Sequence, residues 1–145
     1  MNYKQANLEI CREIINNGIV RGQNAQDEYF LAIPGPHAFY GYFFPKKDIA
    51  FSLPKVDILT QQIVDFSIVT DENRIAATDI LRITGFNKMA RRFKAKGWET
   101  WVDARFLKNI DMGFALFYQE KENGMIIVEE NEKPVMVMLP ILIRD

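Results

Sequence analysis

Glu99-Thr100-Trp101-Val102-Asp103-Ala104-Arg105-Phe106-Leu107-Lys108-Asn109-Ile110 is the stretch on which the predicted fold turns. Trp98 to Val102 reads as a strand that pairs with Met89 to Ala95 across the Lys96-Gly97 turn. Asp103 then offers the short acceptor side chain that caps a helix, here running to Ile110. Three strands are expected next, at Phe114 to Gln119, Met125 to Glu130 and Val135 to Ile143, joined by Glu120 to Gly124 and by Asn131-Glu132-Lys133-Pro134. Upstream, Asp65 to Val69 and Arg74 to Ile83 read as strands flanking the turn Thr70-Asp71-Glu72-Asn73. Shorter strand-like pieces lie at Tyr29 to Ile33, Ala38 to Phe44 and Ile49 to Leu53, and the periodicity of Lys55 to Val64 decides nothing.

At the start of the chain, Leu8, Cys11 and Ile15, with Ile10 and Ile14 beside them, recur at helical steps over residues 3 to 17. Gln5, Glu9, Arg12 and Asn16 fall on the opposite face, and Asn17-Gly18 supplies a left-handed stop. The pattern predicts an α+β fold, an antiparallel sheet carrying two amphipathic helices. At 145 residues with 48% hydrophobic side chains the chain suffices for a single domain, 1–145, with its own core.

Composition narrows the function. Eighteen basic and nineteen acidic residues give a net charge of -1, so nucleic acid or an anionic membrane is met, if at all, through a local patch. Cys11 is the one cysteine, no Asn-X-Ser/Thr sequon occurs, and the first residues lack the apolar run of a signal peptide; a cytoplasmic protein without a membrane span is expected. His37, the one histidine, sits in the turn Pro34-Gly35-Pro36-His37, and the glycines form no phosphate-binding pattern. Asp71-Glu72 and Glu129-Glu130 read as solvated charge beside turns. No catalytic residue, metal site, cofactor or small-molecule substrate is expected, and the chain reads as a non-enzyme.

Three segments carry a family resemblance. Asn73-Arg74-Ile75-Ala76-Ala77-Thr78-Asp79-Ile80-Leu81-Arg82-Ile83 resembles a strand of the bacterial DNA polymerase sliding clamp, the beta subunit, with its Ala-Thr-Asp, two residues, Arg and an aliphatic. Glu99 to Ile110 is similar to the clamp's strand and following helix, and Val135 to Ile143 to its last strand with the Met-Pro-hydrophobic run. The match covers 61–145 better than 1–60. Ile80 stands where the family usually has glycine, and the family chain has three domains, so a ring would require about six copies of this one in a closed homo-oligomer.

The resemblance implies a clamp-like accessory protein of DNA replication, a processivity factor that tethers rather than catalyses, of a size suited to a phage or mobile element. The alternative is an interaction module that binds and regulates a polymerase, clamp or loader without encircling DNA. By the same resemblance, Thr78, Asp79, Arg82 and Ile83 with Met138, Leu139, Pro140 and Ile141 would line a groove for polymerase-type peptides; plain core packing is the competing reading of the terminal strand. Val135 to Leu139 is apolar on both faces, so a helix, neighbouring subunit or peptide must cover the second. For DNA, the residues are Lys88, Arg91, Arg92, Lys94 and Lys96 beside Trp98 and Trp101, or the helix-borne Arg105 and Lys108, with Lys4 and Arg12 on the first helix. A solvated hairpin accounts for the same charges.

Overall fold

The computed structural model describes residues 1–9, 20–23, 29–33, 40–44, 64–84 and 88–142. Among these residues, nine strands, β1 (Val20–Gln23), β2 (Tyr29–Ile33), β3 (Tyr40–Phe44), β4 (Arg74–Ile83), β5 (Met89–Lys94), β6 (Glu99–Asp103), β7 (Leu116–Gln119), β8 (Ile126–Glu130) and β9 (Lys133–Met138), form one antiparallel sheet in the order β1-β2-β3-β9-β8-β7-β4-β5-β6. After β9 the chain crosses Leu139-Pro140, and Ile141 bridges Trp101 of β6 through an N–H donated to the Trp101 carbonyl at 2.7 Å. That bridge links the two ends of the run β6-β5-β4-β7-β8-β9, curling it around one core.

The fold is therefore essentially all-β, which corrects the α+β expectation with two amphipathic helices. Residues 3–9 are helical, and the rest of that predicted helix lies outside the described residues. The predicted helix after Asp103 is one turn of 3-10 helix, Ala104–Leu107. Asp103 caps it as expected, its carboxylate accepting from the Arg105 N–H at 3.0 Å. Past Lys108 the chain goes on in separate turns, with the Ile110 N–H donating to the Leu107 carbonyl at 3.1 Å and the Asn109 carbonyl accepting the Asn2 N–H at 2.7 Å, while Phe106, Leu107 and Ile110 are buried. Asp65 to Val69 likewise is no strand: Phe66–Ile68 is a 3-10 turn capped by Asp65. β1, with a glycine among polar residues, carries no alternation and was missed. The predicted strand Ile49 to Leu53 and the His37 turn lie outside the described residues.

The first helix, α1 (residues 3–9), sits differently from its predicted orientation. Asn2 caps it, accepting from Gln5 N–H at 3.2 Å, and Ala6 and Asn7 are buried while Leu8 is exposed. Glu9, assigned to the solvent face by periodicity, turns inward.

β9 resolves the question of its two apolar faces. Val135, Met136 and Met138 join the main core with Tyr42, Phe44, Phe93, Val102, Phe117 and Val128, while Val137 joins Phe43 and Ile127 in a second layer. That layer is closed by Val64, Ile68 and Val69 of the same chain, with the Phe66 ring 5.6 Å from Phe43. Pro134 is tolerated because it lies at a bulge and beyond the last β3 partner, Tyr42↔Met136.

Candidate functional site

The β4–β5 hairpin projects past its neighbours. β4 has ten residues, yet β7 pairs with it only at Arg74 and Ile75, because the chain entering β7 turns at Asp111 to Phe114. Among the described residues, β4 from Ala76 onward has a strand on one side only, β5.

A bulge opens the projecting part. Ala77 pairs with Phe93 and Leu81 with Arg91, so two extra residues sit on β4. The Thr78 hydroxyl donates to the Arg92 carbonyl at 2.8 Å and accepts from Ile80 N–H at 3.2 Å, and Arg91 Nε donates to the Thr78 carbonyl at 2.7 Å. Arg91 also approaches Asp79 at 3.6 Å. The Ala-Thr-Asp stretch thus encodes a stapled bulge.

Beyond it the two faces of the hairpin differ. The bulge preserves parity, so Leu81, Ile83 and Met89 continue the face on which Ala77 and Phe93 enter the core, but among the described residues nothing covers them: they are 54%, 66% and 39% exposed, with Ile80 at 45%. The opposite face carries Arg82 over Ala90, which pairs with Asp103 on β6. Burial pushes the Asp103 carboxyl up, but the hydrogen bonds from Arg105 and the charges of Arg105 and Lys88 outweigh it and hold the group below the ordinary aspartate value. Arg105 pairs with it at 2.7 Å.

The residues expected to bind DNA are divided by this geometry. Arg91 faces the apolar side and is engaged at the bulge; Arg92 pairs with Glu99 at 3.3 Å, and its Nε is buried without a hydrogen-bond partner. Lys94 and Lys96 are exposed and Lys88 is half-buried. Lys108 approaches Glu9 at 3.7 Å. Lys4 is exposed on α1, and Arg12 lies outside the described residues.

The two halves of the expected groove are not on adjacent strands. Thr78, Asp79, Arg82 and Ile83 lie on β4; Met138 is buried at the end of β9, with β8 and β7 between the two strands, and Leu139, Pro140 and Ile141 are partly exposed where the chain crosses to β6. Sequence reasoning missed Leu81 and Met89 as surface residues. Their alternation marks a strand face, but that no described residue packs on that face depends on tertiary structure and is not written locally.

A second polar cluster lies under α1. The Tyr40 hydroxyl donates to Glu9 Oε1, the Tyr42 hydroxyl to Oε2 at 3.0 Å, and Asn109 Nδ2 to Oε2 at 2.9 Å. Tyr40 stacks on Phe106 at 4.1 Å. Burial, then the nearby Glu9 charge, raise the Tyr42 phenol far above its ordinary value. Every named group has a partner, and the cluster fastens α1 to the sheet. Glu130, expected to be solvated, is buried as well and takes the Met1 nitrogen.

Among the described residues no group of three or more His, Cys, Asp or Glu is arranged to hold a metal ion, and no helix is long and apolar enough to cross a membrane. No family model, curated protein or solved structure matches the chain.

Proposed function

We propose that this chain is a non-enzymatic interaction module of DNA replication, cytoplasmic, that docks a polymerase, clamp or loader through the β4–β5 hairpin. The observation that carries the docking is the bare apolar face of Leu81, Ile83 and Met89, an extension of the core face with nothing packed on it among the described residues. The class of partner rests on the resemblance of Asn73 to Ile83, Glu99 to Ile110 and the terminal strand to sliding-clamp segments. The cytoplasmic setting rests on the single cysteine and the absence of sequons.

Binding of purified polymerase, clamp and loader proteins to the wild type and to Leu81→Asp tests the reading. Affinity for one of them should fall at least tenfold, while the melting temperature holds because the side chain is already exposed. Unchanged affinity for every partner, or binding to none, would overturn it. A ring that tethers DNA is the second reading, favoured only by the resemblance; light scattering that finds about six copies per particle in a closed ring would support it in place of the module.

A further inference from the structure

The turn between β7 and β8 carries a chemical liability that its own geometry requires. Lys121-Glu122-Asn123-Gly124 closes through the Gly124 N–H, which donates to the Lys121 carbonyl at 3.0 Å, with Asn123 at φ 63° in the third position. Positive φ at that position favours glycine or asparagine. A Cβ on Gly124 would come within 3.0 Å of both the Lys121 carbonyl oxygen and its Cγ, so the closeness of the turn leaves no room for a side chain after Asn123. The result is an exposed Asn-Gly pair, in which no side chain shields a backbone nitrogen that follows a side-chain amide. Asparagine is among the thermally labile residues, and this setting is the one that exposes it most. Asn131 offers a comparison within the chain: it too is exposed and left-handed, with φ 52°, but Glu132 follows it. Asn17-Gly18, the other such pair in the sequence, lies outside the described residues.

What the turn holds gives the pair its consequence. The Gly124 carbonyl accepts from Nε2 of the buried Gln119 at 2.9 Å. The same Nε2 donates to the Thr100 hydroxyl at 3.2 Å, and Gln119 Oε1 accepts from Trp98 Nε1 at 2.8 Å. One buried amide therefore ties the turn to β6 and to the indole just before it.

We infer that Asn123 is a site of spontaneous covalent modification, converted to aspartate and isoaspartate, and that the change is relayed through Gln119 to Trp98. When the turn opens, the Gly124 nitrogen releases the Lys121 carbonyl, gives its proton to solvent and attacks Asn123 Cγ. The side-chain nitrogen leaves as ammonia and a cyclic imide closes. Water then opens the ring. Attack at Cγ yields aspartate, and attack at the Asn123 main-chain carbonyl carbon yields isoaspartate, whose main chain runs through Cγ. The sum is amide plus water to carboxylic acid plus ammonia. Either product adds a negative charge between Glu122 and Gly124, but isoaspartate also lengthens the main chain by a methylene within a turn closed by one hydrogen bond, which draws the Gly124 carbonyl away from Gln119.

The test ages the purified full chain at neutral pH, warm but below its melting temperature. Peptide mapping, with fragmentation that separates isoaspartate from aspartate, should find Asn123 converted at least tenfold faster than Asn131. In a Trp101→Phe background Trp98 is the one indole left. Its emission should move to longer wavelength as isoaspartate accumulates. Asn123→Gly suits the left-handed φ and removes the amide, so its emission should hold on ageing. Freshly prepared Asn123→Asp adds the charge without lengthening the chain and should match the fresh parent.

Equal conversion at Asn123 and Asn131 overturns the site, and so does an intact Asn123 in the folded chain under conditions where the urea-unfolded chain is converted there. The relay is overturned if emission stays put in a chain fully converted to isoaspartate, if aged Asn123→Gly shifts as the parent does, or if fresh Asn123→Asp is already shifted, since charge alone would then be the cause.

Discussion

Glu9 shows how a single side chain overrides a helical pattern. Its carboxylate is largely buried, yet accepts from Tyr40, Tyr42 and Asn109, so its desolvation is offset by directed hydrogen bonds. Glu9→Ala leaves two tyrosyl hydroxyls and an amide without their acceptor and should cost about 2–4 kcal/mol in chemical denaturation. Tyr42 adds a pH signature. Its folded-state pKa lies above the ordinary 10.0, so its contribution to stability is complete below that pH and is lost as pH rises beyond it, when the unfolded chain ionises first. Stability measured from pH 8 upward should decline above about 10, and Tyr42→Phe should flatten that decline; an unchanged slope would remove Tyr42 as its source. Asp103 acts at the other extreme. Its folded-state pKa is depressed, so its contribution is present above the ordinary 3.8 and lost as pH falls through the folded value, and Asp103→Asn should reduce the steepness of acid unfolding.

At the scale of elements, turns set what the strands can do. The β8–β9 hairpin turns through Asn131 and Glu132, with φ of 52° and 64°, the pair of left-handed residues that a two-residue primed turn requires. Asparagine suits that region and glutamate does not, so Glu132→Gly should stabilise the protein by about 0.5–1 kcal/mol in urea melts; a loss of stability would show that the Glu132 side chain contributes more than its strain. The β4 bulge is held by the Thr78 hydroxyl. Thr78→Val keeps the shape but removes both hydroxyl bonds, and should lower stability by about 1 kcal/mol while speeding amide exchange at residues 79–83. Protection unchanged in that segment would mean that Arg91 alone holds the bulge.

For the whole molecule, closure rests on the chain that leaves β9. Ile141→Pro removes the N–H donated to Trp101 and should lower the melting temperature by about 3 °C, as the loss of one net hydrogen bond in a domain of this size does. The curled sheet also explains where apolar surface is left over. Six strands from β4 to β9 wrap one core, but β4 and β5 are longer than the strands beside them, so the hairpin carries its core face out of the wrap.

Legibility in the sequence followed locality. β2 and β4 are bounded correctly and β5 to β8 are placed to within two residues, because alternation and turn residues are local and strong in these segments, whereas the last strand, expected to run to Ile143, ends at Met138. Asp103 was legible as a cap for the same reason: one side chain reaches a backbone N–H two residues away. The charged residues of the hairpin were legible as a cluster, but not their division between an apolar and a basic face, which depends on register and on the bulge. Tertiary structure alone decided that the segment after Asp103 stops at one turn, with the Asn109 carbonyl meeting Asn2 from the start of the chain; that Glu9 faces inward, since two tyrosines from β3 meet it there; and that β9 is covered by residues 64–69 of its own chain. It also left β4 from Ala76 onward with a strand on one side only among the described residues, because β7 pairs with it only at Arg74 and Ile75. Hydrogen bonds between residues close in sequence are fixed by the residues themselves, whereas partners a hundred positions apart become neighbours only when the sheet order is set.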